Sequence, residues 1–387
     1  QLGCNLTSNG YGLEDTYGDY AAAMTWYAAI SGKSLDKVTY VPQTVAAYHY
    51  DIARAAAHAV YAPYKAHDLS ETVLFAGSDF QPTGYDTSGI RSLLGSLMKE
   101  GYGLFDGFLM VGDYTPNNSV EESSKGLAVL DGVISQNVNF GKIYSQGNHD
   151  EAGTVGMCAS GNNDPLNATY GVFVINEDDY NAYGVGGQKV AADLTAYFNE
   201  KLASNWGNKP IFVMSHLPLH YNYRTIKDKG AATAMYVVDA LNAAADAGLN
   251  IIFLIAHNHS GGYDDYLGGA AVYIPKGDSI MVADPANYKN APIETELRFT
   301  YMNAGYIAAY VDMGQGADTA LTVSVFRIQA NGDVIITRYD ANGEHNLKSA
   351  GKLSPHDREY TQYTEADGRV YESSRIVGAF KDEEYNG

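Results

Sequence analysis

Five short stretches of this 387-residue chain are each followed by side chains able to bind a cation or move a proton. Asp79 and Gln81 follow the first, Asp113 the second, and Asn148, His149 and Asp150 the third. His216 follows the fourth, and His257 and His259 the fifth. Carboxylate, amide and imidazole donors without any thiolate suit Mn, Fe, Zn and related divalent ions. Singly these residues mean little. An Asp after a strand usually turns or caps the chain, and a lone His is more often structural. The ordered series carries the signal.

The stretches themselves, 72–76, 108–111, 141–144, 211–214 and 251–255, are short apolar runs of β-favouring residues. Helical patterns lie between them. Ile90, Leu93, Leu94, Leu97 and Met98 form a stripe that stops before Gly101. Ser119 with Glu122 three residues on is a capping-box start. Val190, Leu194, Tyr197, Phe198 and Leu202 mark a third helix, and Met235, Val238 and Leu241 a fourth that closes at Gly248. Strands alternating with helices predict an α/β fold. Such sheets carry their functional crevice at the carboxyl ends of the strands, so five strands ending side by side would gather groups spread over 79–259.

The flanks read differently. Residues 1–70 form a helical preface with a stripe over 44–61; its His49, His58 and His67 fit no ligand pattern. Residues 270–340 offer strand-like runs and an Asn331-Gly332 turn, predicting a second, largely antiparallel sheet. Beyond residue 346 the chain is polar and charged.

The order D-x-Q, GD, GNHD, H, AHxH over 79–259 resembles the calcineurin-like metallophosphoesterase superfamily. Asn303-Ala304-Gly305-Tyr306 is similar to that family's closing strand. The resemblance implies a four-layer α-β-β-α sandwich over 71–345, between the 1–70 extension and a 346–387 extension. It implies two divalent metal ions, Mn, Fe or Zn. Asp79, Gln81 and His259 would hold one, Asn148, His216 and His257 the other, with Asp113 bridging. His149 would face the phosphate and assist the leaving oxygen, oriented by Asp150. Two metals about 3.5–4 Å apart can acidify a shared water and clamp phosphoryl oxygens, and hydroxide then attacks phosphorus in line. An imidazole acid is worth about 10²–10⁴-fold. This chain departs from the family at Gln81, where a His is usual, and at Ala256, where a Gly is common. Pro116 stands where the purple acid phosphatase branch has a Tyr ligand, which argues against that branch.

The expected function is hydrolysis of a phosphomonoester or phosphodiester of a small molecule or nucleotide. His220 is either a substrate contact or a loop histidine bonded to backbone; Asn118 and Glu151 read as loop residues. Specificity is assigned to the loops 82–87, 115–120, 151–188 and 220–230.

The formal charge is −20, from 45 acidic and 25 basic residues. Such a surface repels duplex nucleic acid and anionic membranes, which counts against a nuclease. A small phosphorylated substrate is compatible, because bound metal reverses the local field. The other rival is a metal-binding surface protein without turnover; the non-ligand pair His149-Asp150 argues against it. No run of about 20 apolar residues predicts a transmembrane segment. Cys4 and Cys158 form no disulfide framework; they either pair or stay free thiols. Few lysines, 32 tyrosines and a start, Gln1-Leu2-Gly3-Cys4, similar to a bacterial lipoprotein cleavage site lead to the expectation of an exported protein.

Overall fold

A computed structural model describes residues 17–31, 35, 38–46, 50, 53–54, 57, 71–99, 102, 104–138, 141–166, 169–176, 178, 185–220, 231–257, 273–286, 292–307 and 322–340. The chain divides into two compact units. One comprises Gln1–Leu69 and Leu97–Leu104, the other Ser70–Ser96 and Phe105–Gly387.

In the first unit, α1 (Tyr17–Ser31) buries Tyr20, Met24 and Ala28 in a small core with Leu35, Val45, Ala53 and Ala57. The Tyr20 hydroxyl donates to the Tyr40 carbonyl (2.7 Å). Most of the expected 44–61 helix lies outside the described residues, as do His49, His58, His67, Cys4 and everything beyond residue 340.

The second unit runs β1 (Thr72–Gly77), α2 (Ser88–Lys99, whose last residues belong to the first unit), β2 (Gly107–Val111), α3 (Val120–Ile134) and β3 (Lys142–Ser145). It continues through β4 (Gly161–Asn162), β5 (Gly171–Ile175), α4 (Val185–Ala203), β6 (Pro210–Ser215), α5 (Ala231–Asp246) and β7 (Asn250–Ile255). Then come β8 (Tyr273–Ile274), β9 (Ser279–Ala283), β10 (Pro292–Glu296), β11 (Thr300–Asn303), β12 (Gly305–Tyr306), β13 (Thr322–Ile328) and β14 (Val334–Asp340).

The protein is a mixed α/β fold with two six-stranded sheets and a β9–β10 ribbon. The first sheet has β1, β2 and β3 parallel, with β13 antiparallel to β1. β12 and β14 both pair with β13. The second has the order β4-β5-β6-β7-β11-β8, with β5, β6, β7 and β11 parallel. The five ligand-bearing strands therefore do not lie side by side. Three sit in one sheet and two in the other. Of the last third, only the antiparallel β9–β10 ribbon stands as a sheet of its own: β13 and β14 extend the first sheet, while β11 and β8 extend the second. A strand pairs where apolar faces and free edges meet, and its partner can be 250 residues away.

Residues from both sheets share one core, including Leu74, Leu109, Phe326 and Ile336 from the first and Val172, Phe212, Ile252 and Leu254 from the second. The second sheet's other face packs Val213, Phe253 and Tyr301 against Leu194, Phe198, Val238 and Leu241 of α4 and α5. Burial on both faces explains why these strands read as unbroken apolar runs. Each fully buried Leu, Ile or Phe contributes about 1.5–3 kcal/mol. Cys158 is a free, half-buried thiol packed on the shared core.

Helix ends follow local chemistry. Ser119 caps α3 by accepting from the Glu122 N–H (3.2 Å), but the Glu122 carboxylate turns to Tyr85 instead of closing the capping box. Gly248 (φ 103°) donates to Ala245 O (3.0 Å) and Leu249 to Ala244 O (3.2 Å), a Schellman stop for α5. No helix among the described residues is long and apolar enough to cross a membrane.

One crossing joins the two sheets. Asn303 ends β11 in the second sheet and Gly305 begins β12 in the first, so the chain changes sheets across Ala304. Ala304 N donates to Ile255 O (2.9 Å), and its carbonyl accepts from Ser324 N (3.1 Å).

Candidate metal centre

Three proposed ligands sit in backbone conformations that side chains other than glycine seldom adopt. Asp79 has φ 52°, Asp113 62° and His257 76°, three of only five such residues among those described. Asp and His enter this region more readily than most residues, but three just past the ends of β1, β2 and β7 amount to strain concentrated at one place. The loops supporting them are tightly fitted. A Cβ on Gly112 would meet Gly147 N at 2.5 Å, and one on Gly147 would meet Asp113 Oδ1 at 2.1 Å. Glycine at both positions lets the Asp113 and Asn148 loops touch backbone to backbone. The strand-end loops are laced further by Asp79 N to Gly112 O (3.0 Å), Phe80 N to Asp113 O (2.8 Å) and Ala256 N to His216 O (3.1 Å).

These turns bring six of the expected ligands together around one ring nitrogen. His216 Nε2 lies 3.1 Å from Asn148 Oδ1, 3.3 Å from Asp113 Oδ2, 3.3 Å from His257 Nδ1 and 3.9 Å from Asp79 Oδ1. Gln81 donates its amide N–H to Asp113 Oδ2 (2.7 Å). Asp79 Oδ2 accepts from Ser78 Oγ (2.5 Å) and from His257 N (3.3 Å). Asp79, Asp113 and His216 are buried, with one potential ligand atom each, all within 4.8 Å of one another. This group can hold a metal ion. His259 lies outside the described residues.

The donor chemistry fits a divalent cation. His216 Nδ1 faces the Val111 carbonyl (2.8 Å), so when the ring is neutral its Nε2 lone pair points into the cluster. Burial disfavours the charged ring, yet the Asp113 and Asp79 carboxylates override it and raise His216 to about 10. Burial likewise opposes the charge on Asp113, and the His216 ring still holds that carboxyl below its ordinary value. Two buried acids thus draw positive charge to this point.

His149 projects differently. Its backbone N–H donates to Asp113 Oδ1 (2.9 Å), while its Nδ1 meets Asn118 Oδ1 (3.0 Å). Asn118 Nδ2 also donates to Asn148 O (3.2 Å). The partner that orients His149 is therefore Asn118, not Asp150. Asp150 accepts backbone N–H groups from Asp113 (2.7 Å), Gly147 (2.9 Å) and Tyr114 (2.9 Å), stapling two site loops from behind. Burial and the Asp113 charge push Asp150 up to about 8, against those three donors. No sequence signal marked Asn118 beyond its position flanking a motif. Gln146 adds a brace: its N–H donates to Asn176 Oδ1 (2.9 Å) and its amide to Asp150 O (2.8 Å). His220 is buried against Tyr301, whose hydroxyl lies 2.7 Å from its Nδ1.

A family described as "Domain of unknown function (DUF4886)" matches residues 1–60, ending before the first site residue. No curated protein matches the chain.

Proposed function

We propose that the chain is a dinuclear-metal-dependent phosphoesterase acting on a small phosphomonoester or phosphodiester. The observation carrying this reading is the convergence of Asp79, Gln81, Asp113, Asn148, His216 and His257 from two sheets on one buried point. The two sheets, with α4 and α5 outside the second and α3 outside the first, are read as a four-layer sandwich. Asp79, Gln81 and His259 would hold one ion, and Asn148, His216 and His257 the other, with Asp113 shared. Bound divalent metal supplies Lewis-acid charge and acidifies water. The chain's own residues do the rest. Gln81 restrains the shared carboxylate, and His149, held at Nδ1 by Asn118, keeps Nε2 for the leaving oxygen. Asp150 fixes the loops that carry both.

The test begins with metal-stripped protein, reconstituted separately with Mn, Fe, Zn and Co, and assayed on aryl phosphomonoesters, aryl phosphodiesters and nucleotide pyrophosphates. Turnover restored by at least one metal, with about two ions per chain, is expected. Two ions bound and no turnover with any metal would favour a non-catalytic metal protein instead. His149→Ala is expected to lower kcat by about 10²–10⁴-fold with metal content unchanged. Asn118→Ala should lower kcat by about 10-fold or more with little change in KM, and Asn118→Asp should recover part of it. Equal rates for Asn118→Ala and wild type would remove its positioning role.

A further inference from the structure

The loop after Gln81 carries a strained tyrosine. Tyr85 takes φ 60°, a genuine outlier for a bulky side chain. One helix grips it twice: its hydroxyl donates to the Glu122 carboxylate, and the Lys125 ammonium stands 4.2 Å from the ring centroid. Burial and the Glu122 bond push the phenol up to about 12, so it stays a neutral donor. The same turn of α3 reaches the proposed acid. Ser123 Oγ donates to the His149 carbonyl (3.4 Å), and Asn118, just before the cap, holds the His149 ring. Adjacent residues Glu122 and Ser123 thus touch Tyr85 and His149.

The contacts that fix this half-buried ring are polar and cationic. Among the described residues, the Lys125 ammonium is the only cation and Glu122 the only hydrogen-bond partner placed against it, and no second ring packs on it. A flat ring fixed at its hydroxyl cannot swing away, and a cation against it adds a second restraint. Strained residues persist where surroundings over-determine them, and they cluster at ligand clamps.

We propose that Tyr85 is the aromatic platform of the substrate pocket, so that the site takes phosphate esters whose leaving group carries a planar aromatic ring. A nucleoside is one source of that ring and a simple aryl group another. This rests on the phosphoesterase reading above. Stacking of one base on one aromatic side chain corresponds to roughly a 5- to 150-fold change in affinity.

The experiment compares wild type, Tyr85→Phe and Tyr85→Asn. Asn tolerates the left-handed backbone, so the ring is deleted without adding strain. The kcat/KM values for adenosine monophosphate and phenyl phosphate are each taken as a ratio to that for glycerol phosphate. Adenosine binding is measured separately by calorimetry. Expected is a fall of about tenfold or more in the ratio for Tyr85→Asn, with Tyr85→Phe within about threefold of wild type. A fall with the nucleotide alone assigns a nucleoside pocket, and a fall with both assigns a general aryl pocket. Ratios unchanged in Tyr85→Asn would overturn the proposal. If no substrate is turned over under any metal, the hydrolytic reading fails by itself. Adenosine affinity then decides: weakened in Tyr85→Asn, the platform stands; unchanged, it falls.

Discussion

Asp113→Asn is expected to strip the proposed centre of metal and abolish the proposed hydrolysis, with the chain still folded. Asp113 is fully buried, and both its oxygens work: Oδ1 accepts from His149 N (2.9 Å), while Oδ2 faces Gln81 (2.7 Å) and His216 (3.3 Å). Asn keeps the shape but loses the charge, and it turns an N–H donor toward groups that already donate. Loss of a group that merely orients a metal ligand costs about 10–100-fold in metal affinity. A carboxylate in the shared position proposed for Asp113 should exceed the top of that range. Elemental analysis after dialysis against buffered metal reads the first effect, and single-turnover assays read the second. The same change removes the largest favourable influence on His216, whose ring should fall from about 10 back toward its ordinary value in metal-free protein. Two tightly held ions and wild-type rate in Asp113→Asn would sink the shared-ligand assignment.

Asp150→Ala should act on stability instead. Its carboxylate satisfies three buried backbone N–H groups that belong to both the Asp113 and Gly147 loops. Each buried donor left unmet costs about 1–3 kcal/mol, so a loss on the order of 3–5 kcal/mol is expected after some water entry. That is a large part of the 5–15 kcal/mol typical of a folded domain. Asp150→Asn, with one acceptor oxygen retained, should fall between. Urea unfolding of metal-free protein separates this from metal loss. A change below about 1 kcal/mol would mean that the staple carries no load.

The sequence made the strand ends legible because the strands are buried on both faces, leaving unbroken apolar runs at 72–76, 108–111, 211–214 and 251–255. The same texture at Gly171–Ile175 lies inside the stretch 151–188, which reads as loop from the sequence but holds β5. Thr300–Asn303 has no such texture at all; its burial comes from pairing with β7 and β8. Side-chain direction was the harder quantity. Sequence adjacency made Asp150 the natural partner of His149. At φ 62°, however, Asp113 lies in a turn that presents its own N–H and that of Tyr114 to Asp150, leaving Asn118 to meet the imidazole. Local backbone geometry of that kind has no one-letter signature.

The single-residue crossing at Ala304 has a mechanical consequence. Asp79, Asp113 and Asn148 arrive from one sheet, His216 and His257 from the other, so the donor cluster straddles a seam between the two sheets. Sliding of either sheet would pull the donor atoms out of register. Ala304 is hydrogen-bonded to a strand of each sheet, Ile255 in one and Ser324 in the other, and acts as a rivet between them. The spacing of the donor atoms is therefore held by covalent chain as well as by side-chain packing, and an ion would meet a gauge already cut to size.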